Sequence, residues 1–260
     1  MRWVSPLSAL FAILVAIAPV HAAGRIGLVL MHGKTGMPTQ LAKLAAALKA
    51  SGYIVESPEM CWSKTRIFDR PLADCMAEIE KAVGDLKAQG ATKIVVTGMS
   101  QGGAVALYYG ATHSELAGIV ALAPAADPVD PSPYPDFIRS RKTAQQMAEA
   151  GQGQTVSDFF DVVNGKTVPI RASPNSFLSF HGLDSPIVTI KAMMTTVLPK
   201  LTIPLLWVSG TRDNGQRIAD KAFATVPGNH LDRHETVDAD HVETPDASIA
   251  VVEDWLKTLQ

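Results

Sequence analysis

The feature that most constrains this chain is Gly98-Met99-Ser100-Gln101-Gly102, set between two segments of opposite character. Ahead of it runs Lys93-Ile94-Val95-Val96-Thr97, a short β-branched apolar run of the kind found in parallel strands buried on both faces. Behind it, Gly103-Ala104-Val105-Ala106-Leu107-Tyr108-Tyr109 has the small-then-apolar composition of a packed helix. A serine on a sharp strand-to-helix turn has a strained backbone. Glycines two residues to either side relieve the crowding and let the hydroxyl project at the carboxyl end of the sheet. The five-residue pattern alone is weak, because glycine and serine are common. Strand, turn and helix in that order single out Ser100 as a candidate nucleophile.

The rest of the chain continues the alternation. Strands are expected over residues 25–31, 53–55, 93–97, 116–123, 203–208 and 231–237, and helices over 38–51, 69–89, 217–225 and 248–259. Leu41, Leu44 and Leu48 share one face of the first helix, and Ile249, Val252, Trp255, Leu256 and Leu259 form a stripe on the last. Strands separated by helices of this length predict an α/β fold with about six parallel strands and helices on both faces. Ligands then belong beyond the carboxyl ends of the strands. Between 125 and 199 the alternation breaks. Four prolines between Asp127 and Pro135 suggest an extended exit from the sheet. A helix over 137–150 follows, then a hairpin over 162–168 whose Asn164-Gly165 is the type I′ turn signal, then a helix over 185–197. The organisation expected is a core over 23–124 and 200–260, with 125–199 inserted as a cap over the strand ends. The phenylalanines and methionines of that insertion argue against a disordered linker.

The first 22 residues stand apart. Arg2 precedes an apolar run over 7–20, and Val20-His21-Ala22 supplies small residues at a cleavage position. This is the pattern of a signal peptide cleaved after Ala22 or Ala23, and the run is short for a membrane anchor. Export to the periplasm or medium suits the two cysteines, Cys61 and Cys75, which are expected to pair in an oxidising compartment. The formal net charge of −2 and the lack of a basic cluster with interleaved aromatics give no reason to expect a nucleic-acid partner.

A serine hydroxyl needs a base, and the base needs an orienting acid. Asp213 follows the 203–208 strand, and His241 lies between the last strand and the last helix. Both positions face the crevice that holds Ser100, and the chain order is Ser, Asp, His. Among the other histidines, His181 in the inserted segment is the remaining candidate base. His113, His230 and His234 suit packing or solvent. Asp238 and Asp240 are the rival acids, but they lie too near His241 in sequence to face its ring easily. The loop Met31-His32-Gly33-Lys34-Thr35-Gly36 follows the first strand, where the Lys34 amide can join that of Gln101 in holding a developing oxyanion. The aromatic and methionine side chains Phe137, Phe159, Phe160, Phe177, Phe180, Met193 and Met194 either line an apolar crevice or form the insertion's own core. Trp62, beside Cys61, belongs near the strand ends, where a disulfide would stiffen the rim.

With His32-Gly33, Gly98-Met99-Ser100-Gln101-Gly102-Gly103, Gly210-Thr211-Arg212-Asp213 and Asp240-His241 in this order, the chain resembles the α/β-hydrolase family over nearly all of its length after residue 22. The Gly-x-Ser-Gln-Gly-Gly form is similar to small carboxylesterases and acyl thioesterases. The resemblance implies a Ser100-Asp213-His241 triad and cleavage of a small-molecule ester or thioester through an acyl-serine, and nothing in the sequence implies a metal or organic cofactor. Acyl transfer on the same scaffold, or a non-catalytic binding protein, are the alternatives it leaves. Two strands of the fuller family pattern are missing ahead of the oxyanion loop. Serine in place of cysteine separates the chain from dienelactone-type hydrolases.

Overall fold

The apolar runs become the six parallel strands of one sheet: β1 (Ile26–Met31), β2 (Ile54–Glu56), β3 (Lys93–Met99), β4 (Gly118–Leu122), β7 (Leu205–Gly210) and β8 (Arg233–Val237), in the order β2-β1-β3-β4-β7-β8. The computed structural model describes residues 24–125 and 133–260. The expected signal peptide and most of the proline-rich exit lie outside the described residues.

Alternation along each strand explains the two-sided burial. In β1, Val29 and Met31 face one side with Val96, Ala121 and Trp207, and they meet α2 (Leu72–Ala88), α3 (Gln101–Gly110) and α7 (Gln216–Phe223). Leu28 and Leu30 face the other side with Val95, Val120 and Val208, under α1 (Ala42–Ala50) and α9 (Ile249–Lys257). All six residues of β1 are buried, so the strand lacks the polar alternation of a half-exposed one. Fully burying each of these Val, Leu or Met side chains contributes about 1.5–3 kcal/mol. Trp255, fully buried on α9, donates its indole N–H to the Leu231 carbonyl at 2.8 Å and so ties the closing helix to the edge of the sheet.

From β1 the chain crosses to β2 on one side and then returns to β3 on the other. This reversal leaves a crevice at the carboxyl ends of β1 and β3, where Met31 stands opposite Gly98 in the register. Gly98 in turn pairs with Ala121, so the elbow lies at the middle of the sheet.

Helix bounds differ from the sequence expectation where proline or a cap intervenes. The long second helix starts at Leu72, after Pro71, and not at residue 69. The closing helix is preceded by a short turn of helix, α8 (Thr244–Ala247).

Between β4 and β7 stand α4 (Pro135–Glu149), the antiparallel pair β5 (Ser157–Val163) and β6 (Lys166–Ala172), α5 (Pro174–His181) and α6 (Ile190–Thr196). Asn164 and Gly165 have φ of 49° and 71°, as a type I′ turn requires. The strands on either side are seven residues each, longer than the turn signal alone suggested. Helix α5 was not expected from the sequence. Ser173 caps it by accepting from the Ser176 amide, and Pro174 occupies its first turn. The helix expected over 185–197 shortens to α6, because Thr189 caps at its own position by accepting from Ala192 N at 2.8 Å. Among the described residues, no helix is long and apolar enough to cross a membrane.

Candidate active site

Ser100 sits between β3 and α3 with φ 56° and ψ −119°, a left-handed conformation that costs a non-glycine residue of the order of 1–3 kcal/mol. Its neighbours enforce that conformation. The Ser100 amide donates to Leu122 O at 2.9 Å, and its carbonyl accepts from Ala104 and Ala125. The flanking glycines have a packing reason. A Cβ on Gly98 would collide with the Gly102 carbonyl. One on Gly102 would lie 2.6 Å from Met31 O and 2.7 Å from His32 O. The elbow and the end of β1 therefore approach backbone to backbone, which brings the loop after β1 over Ser100.

Two loops at the far side of the sheet complete the group. Asp213 follows β7, and His241 follows β8. His241 Nε2 lies 2.9 Å from Ser100 Oγ, and His241 Nδ1 lies 2.7 Å from Asp213 Oδ2. An ionised carboxylate only accepts, so the imidazole proton belongs on Nδ1 and the Nε2 lone pair faces the serine hydroxyl. Asp213 is half-buried. Burial pushes its carboxyl pKa up, but hydrogen bonds from His241 and the Gly215 amide, with the charge of His241, outweigh this and hold it below the ordinary carboxylate value. The rival acids have other work. Asp238 is an exposed partner of Arg212, and Asp240 Oδ1 accepts the amides of Val242 and Glu243 to shape the loop that carries His241.

The rival bases are also accounted for. His181 is buried under Phe68 and Phe177, with Nε2 3.9 Å from Asp161 Oδ2. His113 stacks on Tyr109 and donates to its carbonyl, while His234 bridges Ser209 and Asp220.

The loop after β1 is held from beneath. Gly33 N donates to Gln40 Oε1 at 2.8 Å and Thr35 N to Trp62 O at 3.0 Å. The Trp62 indole donates to His32 O at 3.0 Å, and Lys64 N to Gly36 O at 3.1 Å. His32 is fully buried. Its Nε2 accepts Met60 N at 3.1 Å, so Nδ1 carries the proton that is donated to Gly33 O. Burial lowers the His32 pKa, more than the Gly33 bond and the nearby Glu59 raise it, which keeps the ring neutral. The segment around Trp62 is itself fastened, because Cys61 and Cys75 form a disulfide with Cα atoms 5.9 Å apart. This pairing, expected from the sequence, anchors the segment to α2.

These elements enclose a cavity of about 390 Å3 lined by Gly33, Lys34, Ser100, Gln101 and His241 on the sheet side, and by Val162, Val163, Asn164, Gly165, Phe180 and Ile187 on the side of the inserted segment. Of the aromatic residues singled out above, only Phe180 lines it. Phe137, Phe159 and Phe177 are buried against one another and Phe160 is exposed. One contact was not anticipated: Lys34 Nζ reaches across the cavity rim to Asp161 Oδ1 at 2.9 Å. A carboxylate two residues from Phe159, on the buried face of a strand, was the one local hint of it.

A sequence profile of the alpha/beta hydrolase family matches residues 28–251. A thermostable monoacylglycerol lipase from a Bacillus species is 34% identical over 125 residues, 46% of this chain and 50% of that protein. The chain thus matches about half the length of this curated relative. Among solved structures, one from a study of two metagenome-derived lipolytic enzymes, LipS and LipT, aligns with a TM-score of 0.61 at 20% identity, covering 91% of this chain and 94% of that one. Est1E from Butyrivibrio proteoclasticus, with ferulic acid bound, aligns with a TM-score of 0.61 at 16% identity over 91% and 90%. At these identities the structures establish a shared fold.

Proposed function

The chain belongs to the alpha/beta hydrolase family, and on that premise we propose that it is an exported serine hydrolase that cleaves carboxylic esters through an acyl-Ser100 intermediate. The observation that carries this reading is the unbroken hydrogen-bonded series Ser100–His241–Asp213, at 2.9 and 2.7 Å, opening into the cavity. The disulfide favours an oxidising location.

In the proposed reaction His241 Nε2 takes the Ser100 hydroxyl proton as Oγ attacks the ester carbonyl carbon. The carbonyl π electrons move to oxygen, and the amides of Lys34 and Gln101 receive that oxyanion. Gln101 opens α3, so its amide is among those at a helix start that no preceding turn accepts. Asp213 stabilises the imidazolium. The tetrahedral species collapses, the alkoxide leaves, and His241 returns the proton to it. Water, deprotonated by His241, then attacks the acyl carbon, and the acid departs as Oγ regains a proton. A thioester reacts by the same steps with a thiol as leaving group.

The test is turnover of p-nitrophenyl acetate and butyrate, and of a short acyl thioester, by the wild type and Ser100→Ala, with fluorophosphonate labelling in parallel. Loss of turnover and of labelling in the variant is expected. Turnover that survives in Ser100→Ala refutes the assignment.

A further inference from the structure

The Lys34–Asp161 contact joins two parts of the cavity that lie far apart in sequence. Lys34 belongs to the loop after β1, and Asp161 is a fully buried residue of β5, 127 positions later. The carboxylate does two things. Its Oδ1 accepts Lys34 Nζ at 2.9 Å and also the Val162 amide at 2.7 Å. The same ammonium donates to Val162 O at 3.3 Å. The peptide groups of Val162 are therefore gripped from both sides by one ion pair. Val162 is also the first of the four consecutive hairpin residues, ending at Gly165, that wall the cavity opposite Ser100. Behind this wall the hairpin is fastened to α4, where Ser140 Oγ accepts Phe160 N at 2.8 Å.

We propose that Asp161 is a positioning residue that sets the size of acyl group the site accepts, by fixing the hairpin wall against the loop that carries the Lys34 amide. The inference rests on the serine-hydrolase reading and deepens it. Lys34 offers its backbone to the reacting oxygen and its side chain to the wall, so the distance between oxyanion and wall is set through one residue. A pair with Asp161 fully buried and Lys34 partly buried is screened less by solvent than an exposed pair and fixes direction as well as distance. Releasing the wall enlarges a cavity of about 390 Å3, which relieves the crowding of longer chains and loosens the hold on short ones.

The experiment compares kcat and KM for p-nitrophenyl acetate, butyrate and octanoate in the wild type, Asp161→Asn and Asp161→Glu, with fluorophosphonate labelling and melting temperature alongside. In Asp161→Asn the octanoate-to-acetate ratio of kcat/KM is expected to rise about tenfold, mostly through KM, while the serine still labels. Asp161→Glu keeps the charge but lengthens the arm by one methylene; a smaller rise in the same direction is expected. If Asp161→Asn does not fold, the Glu variant decides. A folded, labelling variant with the wild-type chain-length profile overturns the proposal. So does an undiminished effect of Asp161→Asn in a Lys34→Met background, because Asp161 would then not act through Lys34. Absence of labelling in the wild type refutes instead the hydrolase reading beneath it.

Discussion

Replacing Gly102 with alanine tests the backbone contact on which the whole site depends. The added Cβ would stand 2.6 Å from Met31 O, where ordinary contact begins at 3.4 Å, a shortfall of 0.8 Å. A second carbonyl, that of His32, lies 2.7 Å away. Both obstacles are main chain, so no rotamer change can clear them. The end of β1 must move away from the elbow, and it takes with it the loop that holds the Lys34 amide. Overpacking of this kind costs about 1–3 kcal/mol, which lowers the melting temperature of a chain this size by roughly 2–12 °C. A displacement approaching 1 Å between the reacting atom and its stabilising donors costs up to about 100-fold in rate. The expected result is a 10- to 100-fold fall in kcat for p-nitrophenyl acetate with KM little changed. Gly84→Ala serves as the control. Gly84 is an exposed position within α2 where a Cβ meets nothing within 4 Å. That variant should gain about 0.5–1 kcal/mol of helix stability and keep full activity. A Gly102→Ala protein with wild-type kcat and melting temperature would refute the reasoning.

Two further outcomes follow from the loops beneath the cavity. His32 is held neutral, its pKa lowered first by burial, so the unfolded chain binds a proton that the folded one refuses. Its contribution to stability is therefore complete above the unfolded value of about 6.5 and is lost as pH falls from there through the lowered folded pKa. Melting temperature measured from pH 7.5 to 5 should fall less steeply in His32→Gln than in the wild type, and equal slopes would contradict the assignment. Opening the Cys61–Cys75 bridge, whose ends are 14 residues apart, should cost about 3 kcal/mol in the chain-entropy model. Because Trp62 holds His32 O and Thr35 N, reduction should also lower kcat. Melting and ester turnover with and without reductant check both, and no change in either would show that the bridge does not support the loop.

Much of the sheet was legible because its signals are local. A β-branched run such as Ile94-Val95-Val96 cannot hide its preference, and a two-residue period tells which side chains point together. The elbow was legible for the same reason: a serine between glycines needs only its own strand and helix to be placed. The inserted segment was harder. Helix α5 has eight residues and depends on Ser173 and Pro174 to begin, too little periodicity to stand out. The candidate phenylalanines could not be sorted into wall and core, because Phe177 and Phe180 differ by less than one helical turn. Phe177 nevertheless stacks on Phe159, and Phe180 faces the cavity.

By itself, then, the sequence determined the order of the strands along the chain, the serine on its turn, and the loops from which an acid and a base can reach it. These follow from torsional preference, side-chain period and chain connectivity, which act over a few residues. The tertiary structure alone decided what lies under the loop after β1 and how the far wall of the cavity is held. The contacts that decide these join groups far apart in sequence, 27 residues for Thr35 and Trp62 and 127 for Lys34 and Asp161. A hydrogen bond or an ion pair depends on separation in space to within a few tenths of an ångström, and only the packed sheet and its loops set that separation.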